Sequence, residues 1–119
     1  MLAPKSATDA RLDSTAYDGV WLPSEGDIAA FEAGLAAHMT KTVPAKNKAL
    51  PSKLKSYKRQ WVGLIAGGKK LIYGNFLCSE HPGWEQHVIM VDDGGDCYFQ
   101  VFYDVTSREY RDLRINGEA

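Results

Sequence analysis

The chain has 119 residues, 45% of them hydrophobic, which is enough to form one domain with a buried core and no further cross-links. Its 14 basic and 15 acidic residues give a net charge of -1, which argues against a general nucleic-acid-binding protein, because such proteins are usually strongly basic. No apolar run approaches the ~20 residues that a membrane-spanning helix needs. The composition therefore predicts a globular domain with no nucleic-acid partner and no membrane span.

The first 19 residues show little hydrophobic periodicity, so we predict an irregular segment over residues 1–19 and a single domain over residues 20–119. No apolar stretch of the kind found in signal peptides follows Met1. Two locations of the protein therefore remain as alternatives: the cytoplasm, or an exported location. The polar stretch from Lys5 to Asp13 resembles the start of a mature exported chain, which favours a periplasmic or secreted protein.

A helix is predicted over residues 24–40. Ser24 stands three residues before Asp27, close to the spacing of a capping box, in which two residues cap each other's backbone at a helix start. Apolar residues then follow at intervals of three, four and four, which place them on one helical face: Ile28, Phe31, Leu35 and Met39. We expect this face to pack against a sheet.

After the helix, residues 41–56 contain Pro44 and Pro51 and no clear period, so they are predicted to be a connector with at most a short helical turn near 51–56. Strand patterns follow over Tyr57–Ala66, Leu71–Cys78, Val88–Val91, Cys97–Val105 and Tyr110–Ile115. Short turns join these strands, and short connections make antiparallel neighbours. The predicted fold class is α+β: one N-terminal helix packed on an antiparallel, meander-like sheet of four to five strands.

Aromatic residues alternate onto both faces of the predicted sheet, as Phe99 and Tyr103 do against Tyr98 and Phe102. The face away from the helix is therefore not expected to be fully solvated. It would pack either on the N-terminal segment or on another subunit, which makes a homodimer one alternative.

The two cysteines, Cys78 and Cys97, have neither metal-binding nor redox-motif spacing. In a strict meander they lie at opposite ends of the sheet, too far apart for a disulfide, and remain free buried thiols. If residues 79–96 are instead an excursion, the flanking strands are neighbours, a disulfide forms, and export is favoured. The strict meander is the preferred hypothesis because short turns normally join sequential neighbours.

Seven basic residues lie between positions 41 and 59 with no acidic residue among them: Lys41, Lys46, Lys48, Lys53, Lys55, Lys58 and Arg59. Such a surface attracts an anionic partner, for example lipid headgroups or an acidic protein. The alternative is a solvated connector. Lysine outnumbers arginine here, which favours the connector, because arginine is the usual specific ligand for anions. We predict that this run is exposed and dispensable for folding.

The helix followed by an antiparallel meander resembles the cystatin-like fold over residues 24–115. Residues 60–63, Gln-Trp-Val-Gly, resemble the Gln-x-Val-x-Gly motif of cystatins, with the glycine one position early, and residues 82–84, Pro-Gly-Trp, resemble their Pro-Trp hairpin. Cystatins wedge such hairpin tips into a cysteine protease. The resemblance therefore implies binding residues at the tips: Gly67, Gly68, Lys69, Lys70 and Trp84.

The last residues, from Asp104 to Ala119, also resemble the ending of small bacterial proteins that are often exported. That family implies no activity.

Near the middle of the chain, His81 and His87 have carboxylates close by, but their spacing matches no common pattern of metal ligands. We predict no metal site and no cofactor.

The sequence contains no catalytic motif, so the preferred hypothesis is a non-catalytic binding or interaction module whose partner is a protein. An inhibitor-like protein is one form of this hypothesis. The alternative is a small-ligand-binding or enzymatic domain with a pocket between helix and curved sheet, as in nuclear-transport-factor-2-like proteins. His38 or Asp104 would line that pocket. A deep pocket favours the second hypothesis, and a filled helix–sheet interface favours the first.

Overall fold

The structure, a computed structural model, describes residues 17–78 and 97–115. Its elements are β1 (Gly19–Trp21), α1 (Glu25–Thr42), two 3₁₀ helices (Ala45–Asn47 and Leu50–Ser56), β2 (Lys58–Ala66), β3 (Lys69–Leu77), β4 (Tyr98–Asp104) and β5 (Glu109–Ile115). Within these ranges the strands form one antiparallel sheet in the order β1-β2-β3-β4-β5. The α+β class is confirmed. The strand predicted at Val88–Val91 lies outside the described residues.

Helix α1 begins at the predicted cap. The Ser24 hydroxyl accepts a hydrogen bond from the Asp27 backbone N–H at 3.1 Å, and the Asp27 carboxylate accepts one from the Ser24 N–H at 3.0 Å. These reciprocal bonds satisfy backbone donors that an uncapped helix start leaves unpaired. The helix ends before Pro44, which disfavours a helical conformation in the residue preceding it.

The helix packs on one face of the sheet through an aromatic cluster. Phe31, which is fully buried, has its ring centroid 4.8 Å from that of Trp61 and 5.2 Å from that of Tyr103. Leu35 and Met39 are buried beside it, as predicted, whereas Ile28 is only partly buried. The second 3₁₀ helix completes this core with Leu50 and Leu54.

The opposite face of the sheet is also shielded from solvent. It holds an apolar cluster in which no side chain is more than 5% exposed: Val62, Leu64, Leu71, Tyr73 and Phe102. The expectation that this face is not fully solvated is confirmed. Next to the cluster, the amides of Gln60 and Asn75 are hydrogen-bonded at 2.8 Å across β2 and β3, which satisfies polar atoms that are costly to bury alone.

Cys78 and Cys97 form a disulfide, so the prediction of two free thiols is wrong. Strands β3 and β4 are paired directly, with Leu77 opposite Tyr98, and the cysteines follow this pair at the same end of the sheet. Their Cα atoms are 4.8 Å apart, and the Cys78 N–H donates to the Cys97 carbonyl oxygen at 2.8 Å. The prediction failed because it assumed that a further strand lies between β3 and β4 in the sheet.

Candidate functional site

Parts of the chain that are distant in sequence meet at one end of the sheet. We call this region the turn edge and define it as Asp18, residues 67–70 and residues 105–108. The Asp18 carboxylate accepts a hydrogen bond from the Gly67 N–H at 2.9 Å, and the Val105 N–H donates to the Lys70 carbonyl oxygen at 3.1 Å. These bonds fix the two turns and the start of β1 relative to one another.

The β2–β3 turn at the turn edge is tight because it consists of two glycines. Gly67 and Gly68 have φ values of 57° and 77°, the left-handed conformation that glycine adopts without strain. Both are exposed, and a Cβ atom on either would meet nothing within 4 Å. Another molecule could therefore approach the backbone of this turn closely.

The two lysines predicted as binding residues follow the glycines at the start of β3. Lys69 and Lys70 are exposed, and the Lys70 ammonium lies 5.2 Å from the centroid of the Trp21 ring. The Trp21 indole is held in turn by its N–H, which donates to the Leu71 carbonyl oxygen at 2.9 Å. Trp84, the remaining predicted binding residue, lies outside the described residues.

The second turn of the turn edge depends on the buried carboxylate of Asp104. It accepts hydrogen bonds from the N–H groups of Thr106 and Ser107 at 3.0 and 3.2 Å and from the Arg111 guanidinium at 2.8 Å. Burial alone would raise the pKa of Asp104, but these backbone donors and the charges of Arg111 and Lys69 hold that pKa below its ordinary value. Asp104 is therefore an ionised group that stabilises a turn, which is not the state a general acid requires.

The pocket hypothesis expects His38 or Asp104 to line a pocket between helix and sheet, and each of them instead contacts other groups of the protein. Tyr103 faces the helix and packs on Phe31, so its neighbour Asp104 points to the other face of β4. His38 stacks on the Tyr110 ring at 4.7 Å, and burial, followed by the charge of Lys41, lowers the pKa of His38. In the part of the chain that the structure describes, no three His, Cys, Asp or Glu residues are grouped to hold a metal ion.

The residues that resemble the cystatin motif lie inside the sheet. Gln60, Trp61 and Val62 belong to β2 and are 1%, 7% and 0% exposed. Gly63 is covered by the Trp21 carbonyl oxygen and the Pro23 ring. In this position the four residues build the core and cannot reach a partner protein. The exposed tip of the hairpin is the glycine turn that follows them.

Five lysines from the predicted basic run form an exposed surface. We call it the lysine surface; it consists of Lys41, Lys46, Lys48, Lys53 and Lys55. Lys58 is half-buried, and Arg59 departs from the prediction: it forms an ion pair with Glu32, and its guanidinium lies 5.4 Å from the Phe76 ring centroid. The exposure predicted for the run is thus correct for the five lysines of the lysine surface and wrong for Lys58 and Arg59, which are half-buried.

Comparisons with protein families, with curated proteins and with solved structures found no match to this chain. Among the described residues, no helix has the length and apolarity needed to cross a membrane.

Proposed function

We propose that this protein is a non-catalytic binding module and that the turn edge is the surface that contacts its partner. One observation carries the proposal: exposed residues from separate parts of the chain are held together at this edge by the Asp18–Gly67 and Val105–Lys70 hydrogen bonds. A surface fixed before binding loses little conformational entropy when it docks, which favours affinity.

The packing between helix and sheet supports a binding module over an enzyme. The space where a pocket would lie is occupied by the Phe31 ring, which approaches Gly74 so closely that a Cβ atom there would lie 2.9 Å from it. His38 and Asp104 are on different sides of the sheet and engaged with other groups. These contacts favour function at the surface.

The chemistry of the turn edge fits a protein partner. Backbone groups at an exposed glycine turn accept close approach by another main chain, while Lys69 and Lys70 add charge for orientation. An inhibitor-like role is one form of this proposal, with the glycine turn as the contacting tip. The disulfide supports a periplasmic or secreted location, because such bonds persist in oxidising compartments.

The proposal is tested by site-specific photocrosslinking in the organism's own exported fraction. A benzophenone amino acid replaces the exposed Lys69 in one variant and, as a matched control, the exposed Ala33 of α1 in another. We expect one discrete protein adduct from position 69 and none from position 33. Excess unlabelled wild-type protein should suppress the adduct, whereas excess of the double variant Lys69→Glu/Lys70→Glu should not.

Equal adducts from both positions, or no adduct from a folded position-69 variant, would overturn the proposal. A measured turnover of any small molecule that depends on His38 or Asp104 would instead support the enzymatic alternative.

A further inference from the structure

Charges are segregated along the chain and in the fold. From residue 33 to residue 79 the sequence contains nine basic residues and no acidic one: Lys41, Lys46, Lys48, Lys53, Lys55, Lys58, Arg59, Lys69 and Lys70. The five that form the lysine surface lie in the last turn of α1 (Lys41), in the first 3₁₀ helix (Lys46), directly after it (Lys48) and in the second 3₁₀ helix (Lys53 and Lys55). The segment that carries the lysine surface is therefore basic throughout, with no acidic residue in it.

The backbone beneath the lysine surface is anchored to the core. Leu50 and Leu54 point inward and are 0% and 7% exposed, while Lys53 and Lys55 between and beside them are exposed. The Ser56 hydroxyl donates to the Lys53 carbonyl oxygen at 2.8 Å, which helps to close the second 3₁₀ helix. Because the leucines fix the inward side, Lys53 and Lys55 are held on the solvent side of a defined scaffold. A free connector would not hold them in this way.

The second 3₁₀ helix, which carries Lys53 and Lys55, lies at the opposite end of β2 from the turn edge. β2 begins at Lys58, separated from the second 3₁₀ helix by Tyr57 alone, and ends at Ala66, directly before the glycine turn. Its nine residues span roughly 30 Å at the rise of an extended strand. A partner on the lysine surface would therefore leave the turn edge accessible.

The composition of the lysine surface selects among anionic partners. Protein–protein interfaces are enriched in aromatic residues and arginine and depleted in lysine. In the described ranges, the large hydrophobic side chains that are exposed are Val20 and Leu22, which lie in or next to β1 and not on the lysine surface. Lysine ammonium groups are flexible point charges with no fixed fork geometry. Such groups can bind the laterally mobile phosphates that lipid headgroups form at a bilayer surface.

We propose that the lysine surface docks the protein on a bilayer that contains anionic lipids, with the turn edge directed away from the membrane. The attraction is electrostatic, falls off over about 10 Å at moderate ionic strength, and inserts no side chain into the hydrocarbon. Each lysine near such a surface raises the partition coefficient of the protein between membrane and water roughly fivefold. This inference does not depend on the turn edge having a partner.

Vesicle co-sedimentation tests it with the full chain. Wild-type protein should bind vesicles of phosphatidylcholine mixed with phosphatidylglycerol, should not bind pure phosphatidylcholine vesicles, and should be released by high salt. The double variants Lys46→Gln/Lys48→Gln and Lys53→Gln/Lys55→Gln should each bind roughly 25-fold more weakly. The Lys→Arg versions of both should bind like wild type, because they keep the charge.

A matched control separates local charge from net charge. Ala29→Glu/Ala33→Glu changes the net charge by the same two units on the exposed side of α1, and it should weaken binding far less than either lysine pair. Equal loss in this control, binding to neutral vesicles, or tighter binding to duplex DNA or to an acidic polypeptide than to the vesicles would overturn the proposal. Inorganic phosphate and chloride should also be compared at equal ionic strength. If phosphate released the protein from the vesicles where chloride did not, the proposal would be overturned, because that would indicate a site for the free phosphate ion.

Discussion

The Phe31 ring sits directly over Gly74: a Cβ atom on this glycine would lie 2.9 Å from the ring's Cζ atom. Two further rings enclose the same point, since the Cβ atom would lie 3.0 Å from Phe76 and 3.1 Å from Trp61. Trp61 is also the cross-strand partner of Gly74, so its ring covers the strand where the glycine has no side chain. The helix can approach the sheet this closely because residue 74 is a glycine.

Gly74→Ala should therefore destabilise the protein by about 1–3 kcal/mol, the usual cost of placing an extra methyl group in a filled core. Urea denaturation measures the change. Gly26→Ala is the control, because Gly26 lies in the first turn of α1 and its new Cβ atom would be no closer than 3.7 Å to Ser24 Oγ. We expect the control to be neutral or stabilising, since alanine favours helix over glycine by up to ~1 kcal/mol. Equal stability of the two variants would show that the interface has room.

Phe31→Ala should cost about 3–5 kcal/mol, because it removes a fully buried ring and leaves a cavity. The ring contacts aromatic neighbours on three strands, Trp61, Phe76 and Tyr103, so few of them can move to fill the space. Thermal melts measure the loss, and Phe31→Leu, which keeps part of the volume, should lose less. Melting of Phe31→Ala at the wild-type temperature would contradict the position of α1 on the sheet.

The disulfide should be detectable by mass spectrometry of the non-reduced protein as a loss of two hydrogens, with Cys78 and Cys97 in one linked peptide. The double variant Cys78→Ala/Cys97→Ala should be less stable by about 2–4 kcal/mol, the effect expected for cross-linking positions 19 residues apart. Reducing agent should destabilise wild-type protein and leave the double variant unchanged. Alkylation of two thiols in non-reduced, folded protein would contradict the disulfide.

The helix and the turns could be predicted because their signals are local. Ser24 with Asp27 marks the start of α1, and the paired glycines at 67–68 mark a hairpin. Each of these two signals depends only on residues within a few positions of one another. The short strand β1 was not predicted, because three residues show no period and Gly19–Trp21 is defined by its pairing with β2. The turn edge was only half predicted for the same reason: the contact of Asp18 with Gly67 joins residues that are 49 positions apart.

Replacing Lys46, Lys48, Lys53 and Lys55 by Gln should change stability little, since exposed charges each contribute well under ~1 kcal/mol. Arg59→Gln is the contrasting variant. It should destabilise by about 1–2 kcal/mol, because it loses the packing of the guanidinium on Phe76 as well as an ion pair. Urea denaturation of both variants gives the comparison. Unfolding of the four-lysine variant would show that these side chains have a structural role.

Asp104→Asn should destabilise the protein at neutral pH by about 1–3 kcal/mol, because it removes the charge that Arg111 faces while keeping an oxygen for the Thr106 and Ser107 N–H groups. The folded-state pKa of Asp104 lies below its ordinary value of 3.8. Its ionised form therefore contributes stability that is complete above that ordinary value and is lost as the pH falls through the lowered pKa.

The difference in unfolding free energy between wild type and Asp104→Asn should accordingly shrink as the pH is lowered below about 4. Urea denaturation of both proteins across this pH range measures it, because the other acidic groups affect both proteins alike and cancel in the difference. Arg111→Gln is the matched control: it removes the same ion pair from the other side, so its destabilisation should fade over the same range. A difference that stays constant from neutral to acidic pH would show that the Asp104 charge contributes nothing and that the turn is held by hydrogen bonds alone.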